Sequence, residues 1–301
     1  MMDFNYIFLQ EFGYILAAIL FIFGLKMLGQ ESSAARGNLV SSIGMFLAIL
    51  VTVTNIINPI LVLVAILLGG SIGALFALRV KMTSIPEMVA LFNGFGGLAT
   101  FFIAWSEFNA IPDNVFQFIV IMLTTYIGGV TFSGSIIAYG KLSEKLKVKK
   151  DSFVTKIFTT FFYASILFLV YSIGFTEIIE LPINFYTVLL ILTLLGGIGF
   201  VIPIGGGDMP VVISLLNSFS GIAAAFAGLL LLNNVLIVAG SLVGASGLIL
   251  TIIMAKAMNR SIGNILFVGY ASSSSSSGSQ ETGEVKPINC LLYTSPSPRD
   301  Y

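Results

Sequence analysis

From residue 6 to residue 256 the chain alternates between apolar runs of about 20 residues and short polar breaks, and a run of that length crosses a hydrocarbon layer as a helix. Reading the runs against the breaks predicts nine helices, near 6–27, 37–57, 59–79, 85–105, 115–140, 154–173, 184–204, 209–232 and 234–256. Only the basic segment from Lys141 to Lys156 makes a longer connection, so successive helices should fold back as hairpins. Asn58-Pro59 and Asp208-Met209-Pro210 have the form of helix starts, where proline is tolerated because its missing N–H would have no helical acceptor. The expected fold is all-α: a polytopic transmembrane bundle of nine helices.

The placement of charge tests this count. Before the tail the basic residues are Lys26 and Arg36, then Arg79 and Lys81, then Lys141, Lys145, Lys147, Lys149, Lys150 and Lys156, and finally Lys256 and Arg260. Each group follows an odd-numbered helix. The other side carries acids, among them Asp3, Glu107, Asp113, Glu177 and Glu180. The positive-inside rule then expects the N-terminus outside and the C-terminus in the cytoplasm, an orientation that a miscounted helix would scramble.

Composition agrees with a membrane protein. Hydrophobic residues make up 57% of the 301 and charged residues 9%, against roughly 25% in a soluble domain, and the mean hydropathy is +1.02. Length alone would allow two soluble domains, but one polytopic domain fits the runs better. With no histidine and Cys290 the only cysteine, disulfides and Cys/His metal sites have no ligands to draw on. The start, Met1-Met2-Asp3-Phe4-Asn5, lacks a basic leader, so the first helix is expected to remain in the mature protein.

Asp208 stands out within the bundle. It is the only acidic or basic residue between Glu180 and Lys256, and it sits in Gly205-Gly206-Gly207-Asp208-Met209-Pro210. A carboxylate in or near hydrocarbon is costly unless it faces protein or water. As a helix N-cap it would be stabilised by backbone donors and the helix dipole. As a proton station it would depend on the balance of burial against those donors, and the two roles are compatible. The topology puts it at the cytoplasmic mouth.

Deeper polar groups fall into stripes at helical spacing. The fifth helix carries Thr124, Gly128, Thr131 and Ser135, and the eighth Ser214, Asn217, Ser218, Gly221, Ala225 and Gly228. The fourth offers Pro86, Ala90, Asn93, Gly97 and Thr100, and the ninth Gly240, Gly244, Gly247 and Thr251. Helix three has Ala65, Gly69, Gly73 and Ala77. Such stripes serve close packing and interhelical hydrogen bonds, which would also account for Asn93 and Asn217. Their convergence from four helices predicts a water-lined path between helices four, five, eight and nine, with helices one, six and seven towards lipid.

Three apparent motifs carry nothing. Gly94-Phe95-Gly96-Gly97-Leu98-Ala99 has dinucleotide-fingerprint spacing, but it lies inside an apolar span with no preceding strand. Asn259-Arg260-Ser261 reads as a glycosylation sequon on the cytoplasmic side. The run from Lys141 to Lys156 fits anionic lipid headgroups beside a helix end, not nucleic acid.

Several stretches closely resemble the membrane domain of the beta subunit of proton-translocating NAD(P) transhydrogenase: Arg79-Val80-Lys81-Met82-Thr83, Leu91-Phe92-Asn93-Gly94-Phe95-Gly96-Gly97-Leu98-Ala99, Gly129-Val130-Thr131-Phe132-Ser133-Gly134-Ser135, Gly206-Gly207-Asp208-Met209-Pro210-Val211-Val212 and Lys256-Ala257-Met258-Asn259-Arg260-Ser261. The likeness covers residues 6 to about 270. It implies hydride transfer from NADH to NADP⁺ in two soluble nucleotide-binding domains, coupled to proton movement into the cytoplasm through this domain of a bacterial inner membrane. It implies an alpha subunit as partner, with its own NAD(H)-binding domain and membrane helices, and a dimer of alpha-beta units. By the same resemblance Asp208 matches an aspartate at the cytoplasmic end of the channel and Asn217 a channel-lining asparagine. Ser246 and Gly247 match a small-residue site on the last helix, and Arg260 a hinge to the nucleotide domain. Asn93 departs from the family pattern, since some members have histidine there, and an amide cannot change charge near neutral pH. The central titratable group is then expected from a membrane helix of the alpha chain.

The expected domains are 1–270 as the proton-translocating unit, with Asn93, Asp208, Asn217, Thr131, Ser135, Ser246 and Gly247 on the proton path and Arg260 as the coupling hinge. Residues 271–289 are expected to be a serine-rich linker, and 290–301 a tail of unrelated composition belonging to a truncated frame or an assembly scar. In the family such a linker leads to an NADP(H)-binding domain, so this chain is not expected to bind NADP(H) or NAD(H) itself. A secondary carrier of Na⁺ or a small solute near Asn93 and Asn217 is the alternative, although broken helices in matching halves would favour it and only the Gly205–Gly207 break is present. A structural membrane anchor is the third reading.

Overall fold

The computed structural model describes residues 2–54, 59–109, 114–146, 153–174 and 183–271. The linker and tail expected beyond residue 271 lie outside the described residues. Met1–Gly269 forms one compact unit, and a second begins at Tyr270.

The helices are α1 (Met2–Leu28), α2 (Ala34–Val53), α3 (Pro59–Arg79), α4 (Ile85–Asn109), α5 (Val115–Leu142), α6 (Phe153–Gly174), α7 (Ile183–Val201), α8 (Met209–Leu230), α9 (Asn234–Ala257) and α10 (Ile262–Ala271). The nine expected helices are present, and among the described residues there is no strand. Eight helices are long and apolar enough to cross a membrane, and α7 is a shorter apolar helix. Local chemistry explains several starts. The Asn114 side chain accepts from Gln117 N–H at 2.8 Å to cap α5, and Asn233 accepts from Leu236 N–H at 3.0 Å to cap α9.

Consecutive helices pair as α1–α2, α4–α5, α6–α7 and α8–α9, and α5 lies at the centre, touching α4, α6, α7 and α8. Glycine makes this closeness possible. A Cβ added at Gly97 would stand 2.9 Å from the Gly128 carbonyl, and one at Gly128 would stand 2.8 Å from the Gly97 carbonyl, so α4 and α5 meet backbone to backbone. On α9, a Cβ at Gly247 would lie 2.9 Å from Ser218 Cα of α8. Two apolar clusters close the two ends of the bundle. One gathers Ala104, Phe118, Ile121, Met122, Leu169, Tyr186 and Leu189, and the other is built around Val201, Ile204, Met209, Val212 and Leu216. Along α4 and α5, between these clusters, lie the buried Asn93, Thr100, Thr124, Thr131 and Ser135.

Two expectations need correction. Helix seven leaves only part of its surface for lipid: it packs on α5 and α6, and Val188 and Ile191 stay exposed on its outer face. Its Tyr186, Leu189 and Thr193 are fully or almost fully buried, and the Tyr186 hydroxyl bonds Thr125 at 2.7 Å. Its apolar surface carries the same residue types whether it meets protein or lipid, so hydropathy does not separate the two. Helix three, conversely, buries none of its described side chains within this chain, and nothing lies within 4 Å of a Cβ built at Gly69, Gly70 or Gly73.

α10 was not anticipated either. Ser261 caps it by accepting from Asn264 N–H at 3.1 Å, and Ile265 is buried in the cluster of Val201 and Met209.

The contrast between α3 and α4 is measurable in the isolated chain in detergent. Gly97→Ala should cost about 2 kcal/mol of thermal stability, because the added methyl presses on backbone. Gly69→Ala should be neutral or stabilising by up to about 1 kcal/mol through helix propensity. Equal effects at the two positions would contradict this packing.

Candidate functional site

A polar cluster ties three helices together inside the bundle. Asn93 of α4 is 8% exposed. Its Nδ2 donates to Ser135 Oγ of α5 at 3.0 Å, and its Oδ1 accepts from Ser220 Oγ of α8 at 2.7 Å. Ser220 Oγ also lies 2.9 Å from the Asn217 carbonyl, so its single proton has two acceptors within reach. One turn from Ser135 along α5, Thr131 Oγ1 is fully buried and has no hydrogen-bond partner among the described residues. Thr131 Cβ packs where a Cβ at Gly97 would sit, 3.0 Å away. An unpaired hydroxyl there is costly in an apolar surround and gives the cluster spare capacity to bind a proton-carrying molecule such as water.

The α8–α9 seam is a second set of hydroxyls. Ser218 Oγ donates to the Gly244 carbonyl at 2.6 Å, Ser214 Oγ to the Gly247 carbonyl at 3.3 Å, and Thr251 Oγ1 to Ser214 Oγ at 3.1 Å. Gly247 is therefore buried at a helix contact. Ser246, expected on the path, points the other way: it is exposed, and its hydroxyl turns back to the Val243 carbonyl at 3.1 Å. One residue along a helix rotates the side chain by about 100°, so these neighbours cannot face the same side. Asn217 is half-buried on α8, and within the described residues its side chain makes no hydrogen bond; the α8 contact to Asn93 comes instead from Ser220. Ser220 lies off the stripe of Ser214, Asn217 and Gly221, and its only sequence signal is its i+3 spacing from Asn217.

At the end of the bundle that carries the α7–α8 turn, Asp208 pairs with Arg260. The Arg260 guanidinium donates to Asp208 Oδ2 at 2.8 Å, with the Asp208 side chain 15% exposed and that of Arg260 50% exposed. It is the only ion pair among the described residues. Asp208 stands at the N-cap of α8, but its side chain makes no capping hydrogen bond, so capping alone does not explain it.

Arg260 is delivered by the way α9 ends. Asn259 adopts φ 54°, Asn259 N–H bonds the Lys256 carbonyl at 2.9 Å, and Arg260 N–H bonds the Ala255 carbonyl at 3.0 Å. This is a Schellman closure, with asparagine tolerated at the left-handed position. The pairing of positions 208 and 260 is invisible in the sequence, since it depends on where two helix ends come to lie.

The family model for the NAD(P) transhydrogenase beta subunit matches residues 10–292. The chain belongs to this family. It is similar to NAD(P) transhydrogenase subunit beta of Rhodospirillum rubrum, found in two sequences from that organism. Each is 38% identical over 274 residues, which make up 86% of this chain and 58% of the relative. The chain thus spans little more than half the length of the relatives it matches. Membership in the family agrees with the helical bundle and with its helices long and apolar enough to cross a membrane.

The Asp208–Arg260 ion pair can be weighed directly. A double-mutant cycle of Asp208→Asn and Arg260→Gln, read by thermal unfolding, should give a favourable coupling of about 0.5–1 kcal/mol, because solvent around the Arg260 guanidinium screens the pair. A coupling of the opposite sign, or strictly additive losses, would contradict a stabilising contact.

Proposed function

We propose that this domain conducts protons across the membrane and couples that movement to hydride transfer from NADH to NADP⁺ in nucleotide-binding domains carried elsewhere in the assembled enzyme. The observation that carries the reading is the buried chain Ser135–Asn93–Ser220 across α5, α4 and α8, with the unpaired Thr131 beside it. Hydroxyls and an amide both donate and accept, so they can order water and pass a proton along it. None of them changes charge near neutral pH. The titratable group at this depth therefore comes from a membrane helix of the partner alpha subunit, working in a dimer of alpha-beta units in a bacterial inner membrane.

In this reading the basic ends of the helices face the cytoplasm, and the Asp208–Arg260 pair forms the mouth of the path on that side. Protonation at the core and the pairing state of Asp208 bias contacts with the NADP(H)-binding domain, so proton passage and nucleotide release become linked equilibria. Thr131, Ser135, Asn217 and Gly247 line or shape the path, and Arg260 acts as the hinge. NAD(H) and NADP(H) bind to the other domains.

The test uses the complete beta subunit assembled with its partner in proteoliposomes. Asn93→Leu removes both hydrogen bonds at similar volume. It should lower proton-coupled turnover by about 100-fold, the scale of losing two buried hydrogen bonds, while hydride exchange between bound nucleotides persists. Undiminished coupling in that variant would overturn the role of the cluster. Replacing every membrane histidine of the partner should likewise abolish coupling, and its survival would show that the titratable group lies elsewhere.

A further inference from the structure

Lys141, in the last turn of α5, has no acidic partner among the described residues. Its ammonium instead sits against the end of α7, donating to the carbonyls of Val201 at 3.1 Å, Ile204 at 2.6 Å and Ile202. A basic side chain at a membrane boundary is expected to extend towards headgroups and water. This one turns inward and is partly buried. α7 ends at Val201, shortly before Pro203, which has no N–H to continue a helix. The Val201 carbonyl, which also accepts from Ile204 N–H at 3.2 Å, and the carbonyls just beyond it stand at the negative end of the α7 dipole. Ile204 itself is 4% exposed, in the apolar cluster with Val201 and Met209, so water is a poor substitute for the ammonium there.

The contact gains its significance from the turn just after Ile204. Gly205, Gly206 and Gly207 come next, all exposed, and a Cβ at Gly206 or Gly207 would meet nothing within 4 Å. The three glycines make no side-chain contact that would hold the turn, and they lead straight into Asp208. The turn is therefore anchored on one side by Lys141 and on the other by the Asp208–Arg260 pair. Lys141 also stands six residues beyond Ser135 on the same helix, so α5 carries both the hydrogen-bond partner of Asn93 and the anchor of the turn.

We propose that Lys141 is a positioning residue: a tethered cation that latches the α7–α8 turn to α5 and so sets where Asp208 stands relative to Arg260. A displacement of α5 at the Asn93 cluster would then be transmitted to the mouth through this contact. The consequence for coupling rests on the proposed proton-conducting function, whereas the latch itself concerns only the turn.

The experiment reads the turn directly. In the complete beta subunit assembled with its partner, with the cysteines of both subunits replaced by serine as background, a cysteine is placed at the buried end of the turn by Ile204→Cys. A control cysteine is placed separately by Ser32→Cys in the exposed α1–α2 connection at the same end of the bundle. Labelling rates with a charged methanethiosulfonate reagent are compared, alongside thermal unfolding.

Lys141→Met should raise the labelling rate at position 204 by about tenfold or more, the factor that loss of a charge-assisted hydrogen bond corresponds to, and leave position 32 unchanged. Lys141→Arg, which keeps the charge, should stay near the parent rate. If Lys141→Met does not fold, Lys141→Gln takes its place with the same expected direction. Unchanged labelling at position 204 in a folded neutral variant overturns the proposal, as does an equal rise at positions 204 and 32. A rise at 204 with coupled turnover unaffected leaves the latch standing and removes Asp208 from gating.

Discussion

Within a bilayer a polar group finds its partner inside the protein or remains unpaired, and here that depends on how closely the helix backbones approach one another. Gly97 and Gly128 bring α4 and α5 into backbone contact, and Gly244 and Gly247 do the same for α8 and α9. At those distances short side chains can bridge helices: Asn93 reaches both Ser135 and Ser220, while Ser218 and Ser214 reach carbonyls of α9. With larger residues at the glycine positions the helices would stand further apart, and the same hydroxyls would turn back onto their own helices. Ser246, on the outer face of α9, does so.

This constraint also separates the domain into functional layers. Apolar clusters close each end, and the hydrogen-bonded polar groups of α4 and α5 lie between them. The ion pair and the inward-turned lysine lie at the end where α7 becomes α8 and α9 becomes α10. There two cations do different jobs: Arg260 pairs with Asp208, and Lys141 donates to carbonyls at and just past the end of α7.

Much of the fold was legible before any coordinates. The helix count, their boundaries to within a few residues, and the grouping of lysine and arginine all follow from hydropathy and charge, because a spanning helix must be apolar for about 20 residues. The isolation of Asp208 and the stripes through Asn93, Thr131 and Ser135 were equally plain, since helical spacing is a one-dimensional property. Helix seven misled because burial against protein and burial in lipid select the same side chains. α10 escaped notice because a ten-residue apolar segment just after a basic break has no distinctive period. Lys141 read as a lipid-facing charge because nothing in its own neighbourhood reveals that α7 ends beside it.

The sequence by itself therefore determined the class of the protein, its set of apolar helices, and the isolation of Asp208 as the one charged residue between Glu180 and Lys256. Tertiary structure alone decided the partners: Asn93 with Ser135 and Ser220, Asp208 with Arg260, and Lys141 with the end of α7. These contacts join residues 42, 127, 52 and about 60 positions apart. No local pattern encodes such separations, because they are set by which helix faces come together when the bundle packs.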